Sequence, residues 1–205
     1  MTTANKITVT RILLIPVFVM MAIYYGKSVQ RGQPQLWERF AAIAVFIAAA
    51  ASDGIDGYVA RRFNQRSALG VVLDPIADKG LLLAAIITLS FSNWTYEFPL
   101  WFAVLVITRD AVILTGTAVL HYLVGKVHVK PSWVGKVATA LQMISIAFVM
   151  LQLDFFTKSI SFAGQSYELH FLDIPVAFAG LFTLVSGIGY VTDGFRQLHA
   201  GGHGN

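Results

Sequence analysis

Six long apolar stretches dominate the sequence and limit what the chain can fold into. They cover residues 7–25, 40–58, 69–91, 100–124, 133–151 and 174–190. Each is close to the roughly 20 residues that an α-helix needs to cross the hydrocarbon core of a bilayer. Hydrophobic residues make up 56% of the 205 residues and charged residues only 13%, which excludes an ordinary soluble domain of this length. The sequence therefore predicts an all-α polytopic membrane protein with six transmembrane helices.

The short connections between these stretches predict the orientation of the chain. Basic residues are concentrated in or next to the second and fourth connections, at Arg61, Arg62, Arg66, Lys126, Lys130 and Lys136. The third connection contains Glu97 and no Lys or Arg. Because basic loops stay in the cytoplasm, we expect these two connections and both termini there, in a bacterial inner membrane. Lys27, Arg31 and Arg39 in the first connection do not follow this rule. Membrane orientation explains the formal net charge of +4, and no nucleic-acid partner is expected.

The chain is expected to form a single domain over residues 1–205, since no internal repeat or long linker divides it. Residues 152–173 are expected to form an external loop, and residues 201–205 a disordered tail. The first stretch lacks a small-residue cleavage site and is expected to remain as a membrane anchor. The sequence contains no cysteine, so a metal site would have to use carboxylates or histidine.

Four aspartates lie where two neighbouring apolar stretches approach the cytoplasm. Asp53 and Asp56 share one helical face near the end of the second stretch, and Asp74 and Asp78 are one turn apart near the start of the third. A short connection makes these helices antiparallel neighbours, so the carboxylates are expected to meet at one membrane level, on the cytoplasmic side of the bundle. Clustered carboxylates repel one another unless cations neutralise them, and oxygen ligands suit Mg²⁺ or Mn²⁺. We therefore expect two divalent cations here.

The residues around the aspartates suit a nucleotide. Gly57 and Gly70 have no side chain and would let a nucleotide approach the helix backbones, and Arg61 can donate to a phosphate. The alternative is that the four carboxylates only form buried ion pairs with nearby cations. Ion pairs do not require two glycines on the same faces, so this alternative is less favoured.

Residues 53–78 read D-x-x-D-G-x-x-A-R, eight residues, then G-x-x-x-D-x-x-x-D. This pattern resembles the signature of the CDP-alcohol phosphotransferase family. The resemblance implies that Asp53, Asp56, Asp74 and Asp78 bind two metal ions and that Asp78 is also the catalytic base. It assigns the CDP moiety to Asp53, Gly57, Ala60, Arg61 and Gly70. It further implies CDP-diacylglycerol as the donor, release of CMP, and a homodimer surrounded by membrane lipids.

Polar residues in other stretches are candidates for binding the acceptor alcohol. Thr8 and Arg11 fall on one face of the first stretch, Arg109 lies inside the fourth, and Lys136 lies at the start of the fifth. If the three cations converge beside the metal site, they form a pocket for an anionic acceptor. The alternative for each cation is that it extends to lipid headgroups.

These residues resemble the family branch with glycerol-type acceptors, which contains phosphatidylglycerophosphate synthases and cardiolipin synthases of eukaryotic type. The segments NQRSALG at residues 64–70 and KPSWVGK with TALQ within residues 129–142 are more similar to cardiolipin synthases. The sequence therefore favours phosphatidylglycerol as the acceptor, with glycerol-3-phosphate as the alternative. Two alternatives from other classes are a metal-ion transporter, which would also need intramembrane carboxylates, and a catalytically silent membrane scaffold.

Overall fold

A computed structural model of the chain describes residues 3–62, 68–124, 132–162 and 165–201. For residues 3–6, 53–62, 68–76 and 78, and for some residues near the ends of later elements, the description covers the backbone alone. The elements are α1 (Thr3–Gln30), α2 (Leu36–Arg62), α3 (Ala68–Phe91), α4 (Leu100–Val124), α5 (Trp133–Leu151), β1 (Thr157–Phe162), β2 (Gln165–His170) and α6 (Asp173–Gly201). The predicted helical architecture is confirmed, because each apolar stretch lies in or largely in one of the six helices.

Among the described residues, four helical segments are long and apolar enough to cross a membrane. They are Ile7–Gln30, Leu100–Val119, Trp133–Leu151 and Asp173–Gly194. A shorter apolar segment, Lys79–Phe91, lies in α3. Apolar helices of this length identify an integral membrane protein. Six spans and cytoplasmic termini remain predictions. Of the expected disordered tail, Gly201 instead ends α6, and residues 202–205 lie outside the described part of the chain.

The first of two compact units contains Met1–Phe98 and Val149–Gln152, and in it α1 packs against both α2 and α3. The rings of Phe18 and Phe46 pack with their centroids 5.4 Å apart. Fully buried alanines occupy other positions of the core: Ala22, Ala42, Ala49, Ala77 and Ala85. Small side chains let helix backbones approach closely, which is how membrane helices gain packing contacts.

The backbone of α1 lies very close to the turn after α3 at Gly26. A Cβ atom at this position would lie 1.4 Å from the carbonyl oxygen of Ser92, in the turn after α3. The indole of Trp94 donates a hydrogen bond of 3.0 Å to the carbonyl oxygen of Ala22, and its ring packs against that of Tyr25 at 4.6 Å. These contacts hold the turn after α3 on the last turns of α1.

Arg39, one of the cations that do not follow the orientation rule, bonds within the first unit. Its guanidinium donates to Gln152 Oε1 at 2.6 Å and to the carbonyl oxygen of Leu151, the last residue of α5, at 3.1 Å. A cation at a helix C-terminus is favoured by the helix dipole. Gln152 has a φ of 54°, and its amide also donates to the hydroxyls of Tyr25 and Thr95. These hydrogen bonds offset the cost of a left-handed conformation in a residue with a side chain.

The second unit contains Pro99–Phe148 and Leu153–Asn205, and in it α4 packs along α6. At Gly180 a Cβ atom would lie 2.7 Å from the ring of Trp101, so the glycine makes room for that ring on α6. Gln142 of α5 donates to the hydroxyl of Thr183 on α6 at 2.8 Å. Both side chains are buried, and a buried polar group in an apolar core is costly unless it is hydrogen-bonded.

The expected external loop at residues 152–173 instead contains an antiparallel hairpin, in which Thr157 pairs with His170. The all-α fold class holds, but these two strands were not predicted; the β-branched and aromatic residues of this segment favour extended backbone. Next to the hairpin, Asp154 accepts hydrogen bonds from His170 Nδ1 at 2.6 Å, the Phe171 amide at 3.0 Å and the Thr157 hydroxyl at 3.1 Å. Burial alone would raise the pKa of Asp154, but these bonds outweigh burial and hold the pKa below its ordinary value of 3.8.

Candidate functional site

The residues of the 53–78 motif lie on two helices that contact each other. Asp53 and Asp56 are in the last third of α2, and Asp74 and Asp78 are in the first half of α3. Within the first unit these two helices pack together, as the short connection predicts. The side chains of the four aspartates lie outside the described residues, and so do those predicted to bind the CDP moiety: Gly57, Ala60, Arg61 and Gly70. Convergence of the carboxylates therefore remains a prediction.

The donor set is nevertheless that of a hard-cation site. Four carboxylates on two contacting helices offer only oxygen ligands, and these suit Mg²⁺ or Mn²⁺. Among the side chains that the structure describes, no group of three or more histidine or acidic residues could hold a metal ion. The predicted metal site lies at the four aspartates, whose side chains are outside the described residues.

Helix α1 places a buried cation beside the start of the motif. Thr8 and Arg11 are both fully buried on one face of α1, as their spacing predicts. The Nε–H of Arg11 donates to the hydroxyl of Ser52 at 3.2 Å, and Ser52 directly precedes Asp53 in α2. A fully buried guanidinium does not extend to lipid headgroups, so that alternative is wrong for Arg11. The structure instead positions Arg11 at the level where the acidic residues begin.

Helix α1 also packs against α3 next to the motif. Ala77, which lies between the third and fourth aspartates, is fully buried. A Cβ atom at Gly80 would lie 3.3 Å from the Cδ1 atom of Ile15, so α1 and α3 are closely packed two residues after Asp78. Helix α1 therefore borders the motif on both helices that carry it.

The second unit contains a largely buried arginine. Arg109 of α4 has a side chain that is only 9% exposed, and its Nη1 pairs with the carboxylate of Asp110 at 2.6 Å. Its Nη2 donates to the hydroxyl of Ser186 on α6 at 2.9 Å. Among the described residues its Nε–H has no hydrogen-bond partner. Arg109 lies inside the fourth helix, as predicted, and one of its buried donors has no partner among the described residues.

The N-terminus of α5 lies against this guanidinium. Ser132 caps the helix by accepting a hydrogen bond of 3.0 Å from the amide of Gly135. A Cβ atom at Gly135 would lie 3.0 Å from Arg109 Nη2 and 3.1 Å from the hydroxyl of Ser186. Lys136 follows directly, but its side chain is exposed. The structure therefore brings Arg109 to the start of α5, where Lys136 was expected to join it, and leaves the Lys136 ammonium on the surface.

Convergence of all three cations remains a prediction, because Arg11 belongs to the first unit and Arg109 and Lys136 to the second. Sequence reasoning did not identify two hydroxyls that bind the arginines, those of Ser52 and Ser186. The available signal was a serine inside an otherwise apolar helix, which does not tell whether the hydroxyl bonds to another helix or to its own backbone.

Comparison with known proteins agrees with the motif. The family model for CDP-alcohol phosphatidyltransferase matches residues 1–185. A probable phosphatidylglycerophosphate synthase of Mycobacterium tuberculosis (strain ATCC 25618 / H37Rv) is 34% identical over 197 residues, which are 95% of this chain and 82% of that protein.

Two enterobacterial relatives carry the name CDP-diacylglycerol–glycerol-3-phosphate 3-phosphatidyltransferase. The protein of Escherichia coli (strain K12) is 35% identical over 146 residues, covering 70% of this chain and 74% of its own. The protein of Shigella flexneri is 33% identical over 159 residues, covering 77% of this chain and 81% of its own. The resemblance drawn from the aspartate motif is thereby confirmed over most of the chain, and the protein belongs to the CDP-alcohol phosphatidyltransferase family.

Proposed function

We propose that this protein transfers the phosphatidyl group of CDP-diacylglycerol to glycerol-3-phosphate and releases CMP. The observation that carries this proposal is the similarity to relatives named for that acceptor or for its product, at 33% to 35% identity over 70% to 95% of the chain. Family membership supports the donor and the reaction type, and the apolar helices agree with a lipid substrate.

The preference for phosphatidylglycerol, which rested on residues 64–70 and 129–142, is not supported by these relatives. Likeness in two short segments is weaker support for an acceptor than similarity to named relatives over most of the chain. The arginines give a second argument. A phosphate monoester such as glycerol-3-phosphate carries about −1.5 to −2 charges at pH 7, whereas the diester of phosphatidylglycerol carries one. Arg11 and the largely buried Arg109 are both hydrogen-bonded, and although Asp110 offsets part of the charge of Arg109, two arginines suit the more highly charged acceptor.

In the proposed reaction the hydroxyl of glycerol-3-phosphate attacks the phosphorus that bears the diacylglycerol. The new oxygen–phosphorus bond forms as the bond to the CMP phosphate breaks, and CMP leaves with the bonding electron pair. Asp78 accepts the proton of the attacking hydroxyl. Gly57, Ala60, Arg61 and Gly70 are assigned to holding the CDP moiety against α2 and α3, together with Asp53.

Asp53, Asp56, Asp74 and Asp78 would hold two divalent cations, Mg²⁺ or Mn²⁺. Bound there, the cations would neutralise the charge on the diphosphate and on the departing CMP. Thr8, Arg11, Arg109 and Lys136 are assigned to the acceptor. Among these, Arg109 lies beside the start of α5 and has one buried donor without a partner among the described residues, and it is assigned to the phosphate of the acceptor.

The proposal is tested by supplying purified protein with CDP-diacylglycerol and, separately, glycerol-3-phosphate, phosphatidylglycerol, inositol phosphate or serine. We expect CMP release and phosphatidylglycerophosphate with glycerol-3-phosphate, identified by mass spectrometry. Cardiolipin formed from phosphatidylglycerol, with no product from glycerol-3-phosphate, would contradict the proposed acceptor.

The catalytic assignment is tested by Asp78→Asn, with Asp193→Asn as the matched control. Asp193 is an exposed residue of α6 outside the motif, so the control makes the same change of charge elsewhere. We expect Asp78→Asn to abolish CMP release and the control to retain it. Uptake of Mn²⁺ by proteoliposomes without CMP release would favour a transporter instead, and an unchanged lipid profile in cells carrying Asp78→Asn would favour a silent scaffold.

A further inference from the structure

Ser186 holds an unusual position for a hydroxyl in a membrane helix. A serine or threonine in an apolar span commonly satisfies its hydroxyl by donating to a carbonyl one turn earlier. Thr183, on the same helix, donates in this way to the carbonyl oxygen of Ala179 at 2.6 Å. Ser186 is 2% exposed, and its hydroxyl accepts a hydrogen bond from the guanidinium of Arg109. Its hydroxyl therefore serves a charged side chain of another helix.

Two hydrogen bonds fix the plane of the Arg109 guanidinium. Asp110 binds Nη1 at 2.6 Å from one side, and Ser186 binds Nη2 at 2.9 Å from the other. A guanidinium has five N–H donors in a rigid planar fork, and two anchored ends determine where the remaining donors point. The Nε–H has no partner among the described residues. The Nε–H is thus a buried donor whose direction is set by these two hydrogen bonds.

The start of α5 leaves little room for the guanidinium to move. The position that a Cβ atom would take at Gly135 lies 3.0 Å from Arg109 Nη2 and 3.1 Å from the Ser186 hydroxyl. Contacts of carbon at this distance are already tight, so any side chain at position 135 would push the guanidinium or its serine partner. The absence of a side chain at Gly135 lets the Arg109–Ser186 hydrogen bond lie beside the first turn of α5.

We infer that Ser186 is a positioning residue for Arg109, and that it aims the guanidinium at the phosphate of the acceptor. This inference rests on the proposed function. Ser186 carries no charge and acts only through the direction it gives to Arg109. Asp110 also orients the guanidinium, but its negative charge offsets the positive charge of Arg109. Replacing Asp110 would therefore weaken the orientation and raise the net positive charge at the same time. Ser186 is therefore the residue whose replacement isolates positioning.

The test measures CMP release by the purified full-length protein while glycerol-3-phosphate and CDP-diacylglycerol are varied in turn. Ser186→Ala should raise the KM for glycerol-3-phosphate roughly tenfold, the usual scale for a misaligned hydrogen bond to a charged group. It should leave the KM for CDP-diacylglycerol unchanged. Ser186→Thr keeps the hydroxyl and should restore the KM for glycerol-3-phosphate.

Gly135→Ala perturbs the same guanidinium from α5 without removing a hydrogen-bonding group. It should raise the KM for glycerol-3-phosphate in the same way, whereas Gly116→Ala in α4, with no atom within 4 Å of its Cβ, should not. Gly135→Ala keeps the inference testable even where Ser186→Ala fails to fold.

Thr183→Val is the matched control for Ser186→Ala. Thr183 lies one turn before Ser186 on α6, and its buried hydroxyl accepts a hydrogen bond from Gln142 of α5. It should lower the thermal stability and leave both KM values unchanged.

The positioning role is overturned if the unmodified protein uses glycerol-3-phosphate but Ser186→Ala and Gly135→Ala leave its KM unchanged. It is also overturned if Ser186→Ala raises both KM values equally, as a general structural defect would. If the unmodified protein releases no CMP with glycerol-3-phosphate but does so with another acceptor, the proposed function fails first, and the role of Ser186 toward this phosphate fails with it.

Discussion

Replacing Gly26 by alanine tests how α1 is fixed in the first unit. The added Cβ would lie 1.4 Å from the carbonyl oxygen of Ser92 and 2.6 Å from its carbonyl carbon. Both are backbone atoms, so no side-chain rotation can relieve the overlap. The two segments must separate by at least about 1.6 Å before the Cβ clears 3.0 Å. That movement also strains the hydrogen bond from Trp94 to α1.

The expected loss of stability follows from two opposing terms. Overpacking of this kind costs about 1–3 kcal/mol or more. Alanine in place of glycine inside a helix returns about 0.5–1 kcal/mol. We therefore expect a net loss of about 2 kcal/mol, which lowers the Tm by about 4–8 °C for a chain of this size. The shift is measured by thermal unfolding of the purified protein in detergent, with all variants heated at one rate.

The matched control is Gly116→Ala in α4, where the added Cβ has no atom within 4 Å. This variant should be as stable as the unmodified protein or slightly more stable, because only the helix-propensity gain applies. The reasoning is refuted if Gly26→Ala unfolds at the same temperature as the control.

Three further predictions concern the site and the hairpin. Chelation of divalent cations should abolish CMP release, and added Mg²⁺ or Mn²⁺ should restore it; full activity in the presence of chelator contradicts the metal site. Arg11→Lys keeps the charge but loses the Nε–H that donates to Ser52, so the KM for glycerol-3-phosphate should rise about tenfold; an unchanged KM excludes Arg11 from acceptor binding. The lowered pKa of Asp154 means that its carboxylate stabilises the fold above pH 3.8 and that this contribution is lost as the pH falls through the lower folded-state pKa. The difference in Tm between the unmodified protein and Asp154→Asn should therefore be full at pH 6 and shrink only in strong acid, and a difference that disappears near neutral pH would contradict this assignment.

Hydropathy predicted where the helices lie better than where they end. The apolar stretch at residues 174–190 lies within α6, but this helix continues to Gly201. Likewise α2 begins at Leu36, four residues before the apolar stretch that predicts it. A helix satisfies its backbone hydrogen bonds internally and can extend beyond the apolar region with polar residues, so the apolar pattern marks only its central part. The hairpin at β1 and β2 was missed because two strands of six residues give a weak periodic signal inside a connection.

Spacing along one helix and the short connection between α2 and α3 predicted part of the candidate site, whereas the partners of individual side chains on other helices could not be predicted. Thr8 and Arg11 are three residues apart, and both are buried on one face as that spacing indicates. The partners of the two arginines come from other helices, 41 residues away for Ser52 and 77 for Ser186. Nothing local distinguishes these serines from others in apolar stretches, because their role is set by which helices pack together.

Arg39 shows why counting basic residues alone is an incomplete guide to membrane orientation. The rule describes cations in short loops that can interact with lipids and with the insertion machinery. The guanidinium of Arg39 is bonded to Gln152 and to the end of α5, where the helix dipole already favours a positive charge. The same interaction holds Gln152 in the left-handed conformation that ends α5. A cation with such a structural function does not oppose the predicted orientation, so of the three exceptions in the first connection only Lys27 and Arg31, both exposed, count against it.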